Sequence, residues 1–148
     1  MKRVFIPVLV SLCAAFSLPS HAQFAKPEDA IKYRQSAMFI MMQHVGRLGA
    51  MAQGRVPYDA AAATANAEVV AQVSRLPWAG FAVGAEGGKA KPEIWTEQAK
   101  FKELSERLMA ATDKLAVAAK AGNPDALKAA MGPLGDACKS CHDNFRNR

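Results

Sequence analysis

Cys138-Lys139-Ser140-Cys141-His142 brings two thiols and an imidazole within five residues. The C-x-x-C-H spacing is the attachment signature of a c-type haem. Two thiols so spaced add across the two porphyrin vinyl groups, and the next residue's imidazole reaches the iron as proximal ligand. On a helix, Cys138 and His142 lie one turn apart and share a face, with Cys141 beside them. Similar residues serve other chemistries. A thioredoxin-type dithiol needs a strand–loop–helix setting, and this chain shows no strand pattern. A zinc site needs two more ligands, and only His44 and scattered carboxylates remain. A disulfide between Cys138 and Cys141 would staple almost nothing. One covalent haem c per chain is therefore the expected cofactor, with Cys138 and Cys141 as its anchors and His142 as the axial iron ligand. The rival of another class is a haem-free helical protein that uses the two cysteines as a thiol redox pair. No acid–base constellation accompanies the motif, so an enzyme is not expected.

The elements around the motif read as helices. Apolar residues make up 51% of the 148 and charged ones 22%, a balance that folds rather than stays disordered. Alanine is abundant, aromatic residues are few, and alanine favours helix over strand. A first helix follows Lys26-Pro27-Glu28-Asp29, with a proline suited to the first turn and acids that complement the dipole. Its apolar or small positions are Ile31, Met38, Met41, Val45, Leu48 and Ala52, and Gly54 ends it. A second starts at the N-cap Asp59, runs through Val69, Val70 and Val73, and stops near Leu76 before Pro77. Pro77 to Pro92 is a glycine-rich loop whose Trp78 and Phe81 should fold back onto something apolar. Pro92 opens a third helix with a heptad seam at Phe101, Leu104, Leu108, Ala111, Leu115 and Ala118. After Gly122, Asn123-Pro124-Asp125 caps a fourth. Leu127, Met131, Leu134, Cys138, Cys141 and Phe145 line one face of it, and Pro133 should kink it. The fold class expected is all-α, an antiparallel up-down-up-down four-helix bundle with the haem bonded inside its last helix.

Residues 1–22 read as a leader. Met1-Lys2-Arg3 is a basic start, Val4 to Leu18 is apolar, and Ser20-His21-Ala22 offers small residues for cleavage before Gln23. The run is short for a membrane span and contains Pro7. Removal of residues 1–22 takes Lys2, Arg3 and Cys13 and no acid, so the 23–148 domain carries an excess of four cations instead of six. Those cations are spread among acids, which excludes a nucleic-acid patch. An exported protein with no stable membrane association after cleavage is expected, in keeping with a haem attached outside the cytoplasmic membrane.

Beyond the motif, the chain resembles the cytochrome c′ family, the class II c-type cytochromes of the bacterial periplasm. The resemblance rests on a C-x-x-C-H near the C-terminus and on five segments: Gln23 to Ala30, Tyr33 to Ala37, Val56 to Asp59, Leu76 to Trp78 and Lys91 to Trp95. It spans the whole 23–148 segment. It implies a periplasmic protein with five-coordinate, high-spin haem that binds nitric oxide or carbon monoxide at a crowded distal face and transfers electrons to an unknown redox partner. It also implies haem contacts from Arg34, Gln35, Lys91 and Glu93, with Arg34 near a propionate, where a guanidinium matches a carboxylate. Arg146, four residues after His142, falls at a basic proximal position. A homodimer packed through the first two helices is implied as well.

The same resemblance puts Met38 on the distal side, on the helix face of Arg34. There it either blocks the iron, so that only small uncharged gases displace it, or ligates the iron and makes a low-spin His/Met electron carrier. The open site is the expectation, and His/Met ligation is the alternative. Met41 and Met42 read as packing residues and His44 as a half-buried or interface histidine. Trp78 and Phe81 read as packing over the haem or the bundle end, and Trp95 as a core cover. Lys139 reads as a solvated residue that contributes at most to a weak docking surface around an exposed haem edge, for which one lysine is a thin basis.

Overall fold

The computed structural model describes residues 23–148. The expected leader, 1–22, lies outside the described residues. Helix α1 spans Pro27–Ala52, with Pro27 in its first turn and Glu28 and Asp29 beside it. Helix α2 spans Ala60–Val73, and its first turn is closed by the Asp59 carboxylate, which accepts the Ala62 N–H at 2.9 Å. A 3-10 turn at Pro77–Phe81 follows. Helix α3 is one turn, Glu93–Thr96, α4 spans Gln98–Lys120 and α5 spans Pro124–Phe145. The Asn123 side chain caps α5 by accepting from the Asp125 N–H at 2.8 Å. α1 packs on α2 and α5, α2 on α4, and α4 on α5, which closes the four long helices into a bundle. Among the described residues the one extended pairing is an antiparallel bridge between Ala90 and Arg146.

Leu48, Val70, Leu115, Leu127 and Leu134 fill the middle of the bundle. Ala63, Ala67, Ala119 and Ala137 sit fully buried between them, and their small side chains let the helix backbones approach. A buried hydroxyl pair joins α2 to α4, with Ser74 Oγ and Thr112 Oγ1 3.0 Å apart. Each oxygen also lies within bonding distance of a carbonyl one turn back, Ala71 at 2.8 Å and Met109 at 2.7 Å; one hydroxyl donates to its carbonyl and accepts from the other, so neither is left unmet. A second apolar cluster of Ile94, Leu104 and Phe145 closes one end of the bundle, with Phe81, Trp95 and Phe101 packed on it.

Several boundaries depart from the sequence reading. Pro92 does not open the long third helix. The backbone breaks at Glu97 (φ −107°, ψ 45°), and the long helix starts at Gln98. The break frees Ile94 and Trp95 to pack on the end cluster instead of following the α4 seam. That seam runs through Leu104, Leu108, Ala111 and Leu115 but finishes on Ala119, not Ala118. A straight helix drifts off a seven-residue repeat, and the last contact moves one position on. α2 ends at Val73, since Ser74 turns inward and Leu76 is exposed. Pro133 lies inside α5, as read from the sequence, at an exposed position. Met41 packs in the core as expected, but Met42, one position on, is 58% exposed and reaches only the rim of the space that Met38 and Met41 line.

Leu115→Ala should destabilise the fold by about 2–5 kcal/mol, since it empties a site with no room to relax. Val117→Ala, at a position 71% exposed two residues away, should change stability by less than roughly 0.5 kcal/mol. Urea unfolding of both variants checks this, and equal losses would contradict the assigned seam.

Candidate functional site

Cys138, Cys141 and His142 occupy the last two turns of α5. Leu134, Ala137 and Phe145, all buried, fix the rotation of these turns. Cys138 packs against the bundle core and Cys141 against the end cluster, so the two thiols mark the seam between them. All three side chains line a cavity of about 520 Å³, within the range of roughly 300–1,000 Å³ common for ligand sites. Across the cavity, α1 supplies Arg34, Gln35 and Met38, and Arg146 closes the proximal rim. Seven of the expected residues thus meet around one space.

Lys91 and Glu93 do not. The cavity wall there is built by Lys89, Ala90 and Ile94. Residues 89–91 run antiparallel to the end of α5, with the Lys91 N–H donating to the Phe145 carbonyl at 3.0 Å and the Asn147 N–H to the Lys89 carbonyl at 2.8 Å. Ala90 faces the cavity, whereas Lys91 is held outside it, its Nζ donating to the Asp143 carbonyl at 3.1 Å. Glu93 is exposed on the first turn of α3. Phe101 and Leu108 also line the cavity. Their seam positions gave the signal, which reads as core until α5 is placed opposite. Trp78 and Phe81 fold back onto this wall as expected, with rings 6.3 Å apart and stacked.

Arg34 has a role that helical spacing does not reveal. Its side chain is 3% exposed. Nη1 donates to the carbonyls of Gly80 and Ala85, both at 2.6 Å, and Nη2 donates to Gly87 at 2.9 Å. The guanidinium also lies 4.5 Å from the Phe81 ring centre and 5.8 Å from that of Trp95. Burial lowers its pKa and the Glu86 charge acts against that, but an arginine stays charged. Residues 80–91 thus form a strap, tied to α1 by Arg34 and to α5 by the Ala90–Arg146 bridge. Glycine is required where the strap touches α1. A Cβ on Gly80 would lie 2.6 Å from the Ala30 carbonyl oxygen, and one on Gly88 (φ +61°) would lie 2.8 Å from Gln35 Nε2.

The thiols and the imidazole are tuned by this setting. Burial pushes the Cys138 thiol up. Burial, helped by the nearby Cys138, pushes Cys141 up to about 11. Both shifts favour the protonated thiol over the thiolate. Partial burial and the adjacent Arg146 cation lower the His142 pKa, with Asp143 pulling the other way. A neutral imidazole with a free ring nitrogen is what an iron ligand needs.

The remaining residues read from the sequence have structural partners. His44 Nδ1 and Asn66 Oδ1 are 2.8 Å apart, away from the cavity, on half-buried faces of α1 and α2. Lys139 is exposed and ion-paired with Asp143 one turn on. Trp95 Nε1 donates to the Phe81 and Ala82 carbonyls at 3.1 Å, which places its ring over the end cluster. Among the described residues there is no group of three or more His, Cys, Asp and Glu side chains able to hold a metal ion. No described helix is long and apolar enough to cross a membrane.

The donor set and the cavity fit a haem c: two thiols for two vinyl groups, one neutral imidazole, apolar walls and arginines at the rim. Comparisons with known proteins agree. The family model described as Cytochrome C′ matches residues 29–146. The chain is 51% identical over 126 residues to cytochrome c′ of Alcaligenes xylosoxydans xylosoxydans, covering 85% of this chain and 99% of that one. It is 46% identical over 129 residues to cytochrome c′ of Rubrivivax gelatinosus, covering 85% and 100%. The solved nitric oxide complex of a leucine-to-alanine variant of the Alcaligenes xylosoxidans protein superposes with a TM-score of 0.82 at 50% identity, covering 85% of this chain and 99% of that one.

Arg34→Ala should strand three buried or half-buried carbonyls at a cost of about 1–3 kcal/mol. Amide exchange should accelerate across residues 80–91 while the core of α4 stays protected. Uniform acceleration would argue against a strap held by this residue. A pH prediction concerns the chain before haem attachment. Unfolded, Cys141 ionises near its ordinary value of about 8.5; folded, it ionises at about 11. Its contribution to stability is therefore full below the lower value and lost as pH rises through the upper one. Denaturant midpoints on either side of that window should fall in the native sequence and fall less in Cys141→Ala.

Proposed function

The chain belongs to the cytochrome c′ family, and from that premise we propose that it is a periplasmic, non-enzymatic c-type cytochrome with five-coordinate, high-spin haem that binds nitric oxide or carbon monoxide and exchanges single electrons. The observation that carries the reading is the shared cavity. His142 with both cysteines enters it from α5, and Met38 enters it from α1. When bound, haem c supplies a one-electron couple and an iron position that takes a diatomic ligand. Cys138 and Cys141 hold it through thioether bonds, each thiol giving its hydrogen to the vinyl carbon that does not bond sulfur. His142 would ligate its iron, and partial burial with Arg146 nearby disfavours the imidazolium that would compete. Arg34 and Gln35 would offer donors to its carboxylates, and Met38, from the α1 side of the same cavity, would crowd the remaining iron position, so that a small uncharged gas would enter more readily than a larger anion. A relative of this chain has been solved as a nitric oxide complex, which supports the choice of ligand.

The domain boundaries proposed are a leader at 1–22, cleaved before Gln23, and a bundle at 23–148; the N-terminal mass of the exported protein tests the cut. A homodimer through α1 and α2 is part of the proposal. Phe39, Ile40 and Val56 leave 58%, 44% and 45% of their surface exposed, and a second copy would cover them. Ile40→Glu with Val56→Glu should shift the protein to monomer in sedimentation velocity, and an unchanged mass would remove this interface.

Optical and electron-paramagnetic spectra of the purified protein, with and without carbon monoxide, test the central reading. High-spin signals and ready carbon monoxide uptake support it. A low-spin spectrum with a methionine–iron charge-transfer band would make Met38 the sixth ligand and the protein an electron carrier first. Cys138→Ala with Cys141→Ala should abolish haem that survives denaturing electrophoresis; a retained haem stain would contradict the assigned anchors. Met38→Gly should raise the carbon monoxide association rate by roughly tenfold or more, the factor for about 1.4 kcal/mol off a steric barrier. An unchanged rate in stopped flow would mean Met38 is no plug.

A further inference from the structure

The cations at the cavity mouth form a collar. In the sequence Lys139 stands alone between the cysteines. In the fold the strap lays Lys89 and Lys91 against the end of α5 and its tail, through the Lys91 to Phe145 and Asn147 to Lys89 backbone bonds. Residues 89–91 and 137–148 together hold five cations, Lys89, Lys91, Lys139, Arg146 and Arg148, against a single acidic side chain, Asp143. Asp143 is already ion-paired with Lys139. Lys100 joins from α4, its Nζ 5.9 Å from the Phe145 ring centre, and pairs with Glu97 at 3.5 Å. Lys89 and Arg146 line the cavity directly, beside Cys141 and His142. Four of the five cations are exposed and Lys91 is half-buried. The far end of the bundle is mixed, with exposed pairs such as Arg75 with Asp113 and Lys120 with Glu68.

We propose that this collar is the docking surface for an acidic one-electron protein. The inference rests on haem occupying the cavity, since only then does the collar surround the shortest path for an electron. The chemistry selects the partner class. A rim of five cations with a single carboxylate among them, the one paired with Lys139, attracts carboxylate-rich surfaces and steers them into register. Redox encounters use small patches, under about 1,200 Å², that form and release quickly. A nucleic-acid site would instead need a long cationic track with bases stacked on exposed aromatic rings. The ring faces near this rim are turned inward, stacked among Trp78, Phe81, Phe101 and Phe145.

A flavodoxin, a small acidic one-electron protein, serves as the probe for the haem-loaded protein. Binding measured by calorimetry should weaken steeply with added salt. Lys139→Glu with Arg148→Glu changes the collar without touching the cavity wall, and it should weaken binding by roughly tenfold or more at low salt. Lys114→Glu with Lys128→Glu, at exposed positions on the other end of the bundle, changes net charge equally and should leave binding within about twofold, as distant exposed charges are screened. The rate of ferric protein reduction by flavodoxin hydroquinone should follow the same order. Binding indifferent to salt, or equal losses in the two double variants, would overturn the collar. Adsorption to phosphatidylglycerol vesicles without flavodoxin binding would overturn it in favour of a membrane surface. Haem content, measured on the same samples by denaturing haem stain, separates failure of the haem reading from failure of the collar.

Discussion

Everything in this molecule is arranged around one turn of α5 that cannot slip. Two thiols and an imidazole must face one planar ring from a single helical segment, so the rotation of that segment is fixed by chemistry. Leu134, Ala137 and Phe145 hold that rotation by burying the adjacent stripe of α5. The other long helices are then constrained to leave a flat space in front of it while closing the bundle everywhere else. The fully buried alanines serve that need. They let backbones come close within the core, from Ala119 near the end of α4 to Ala137 beside Cys138, while aromatic side chains bound the cavity.

The strap over 80–91 is the second consequence. A flat cavity at a bundle end exposes its edge, and a glycine-rich segment covers it. Such a segment has carbonyls to satisfy and little side chain to pack. Arg34 resolves both problems with one residue. Its guanidinium meets three carbonyls and presents its face to Phe81, and these contacts offset the cost of taking a cation out of water. The residue therefore shapes the site whether or not a carboxylate of the cofactor also reaches it.

Much of this was legible in the residues. Asp59 and Asn123 announce helix starts because their side chains meet free N–H groups, and both do so in the fold. The C-x-x-C-H pattern carries its chemistry in its spacing. What escaped is information held between segments. The Glu97 break is set by how Ile94 and Trp95 reach Phe145, a partner some fifty residues away. Lys91 and Glu93 fail as wall residues because Lys91 is held against the end of α5 and Glu93 is exposed on α3, and no local pattern encodes that placement. Met42 looks like its neighbour Met41, and only the position of the bundle axis separates a buried thioether from an exposed one.

The strap also orders events in time. Its bonds to Arg34 span 46 to 53 residues of chain, whereas the helices are stitched by contacts three and four residues apart. Local contacts form in microseconds, and distant ones wait for a loop to close. Doubling a loop costs only about 0.6 kcal/mol, so the delay is kinetic and leaves the final stability intact. The cover of the cavity edge is therefore the part of the fold that depends most on distant pairing, and the helix that carries the two thiols and the imidazole depends on it least.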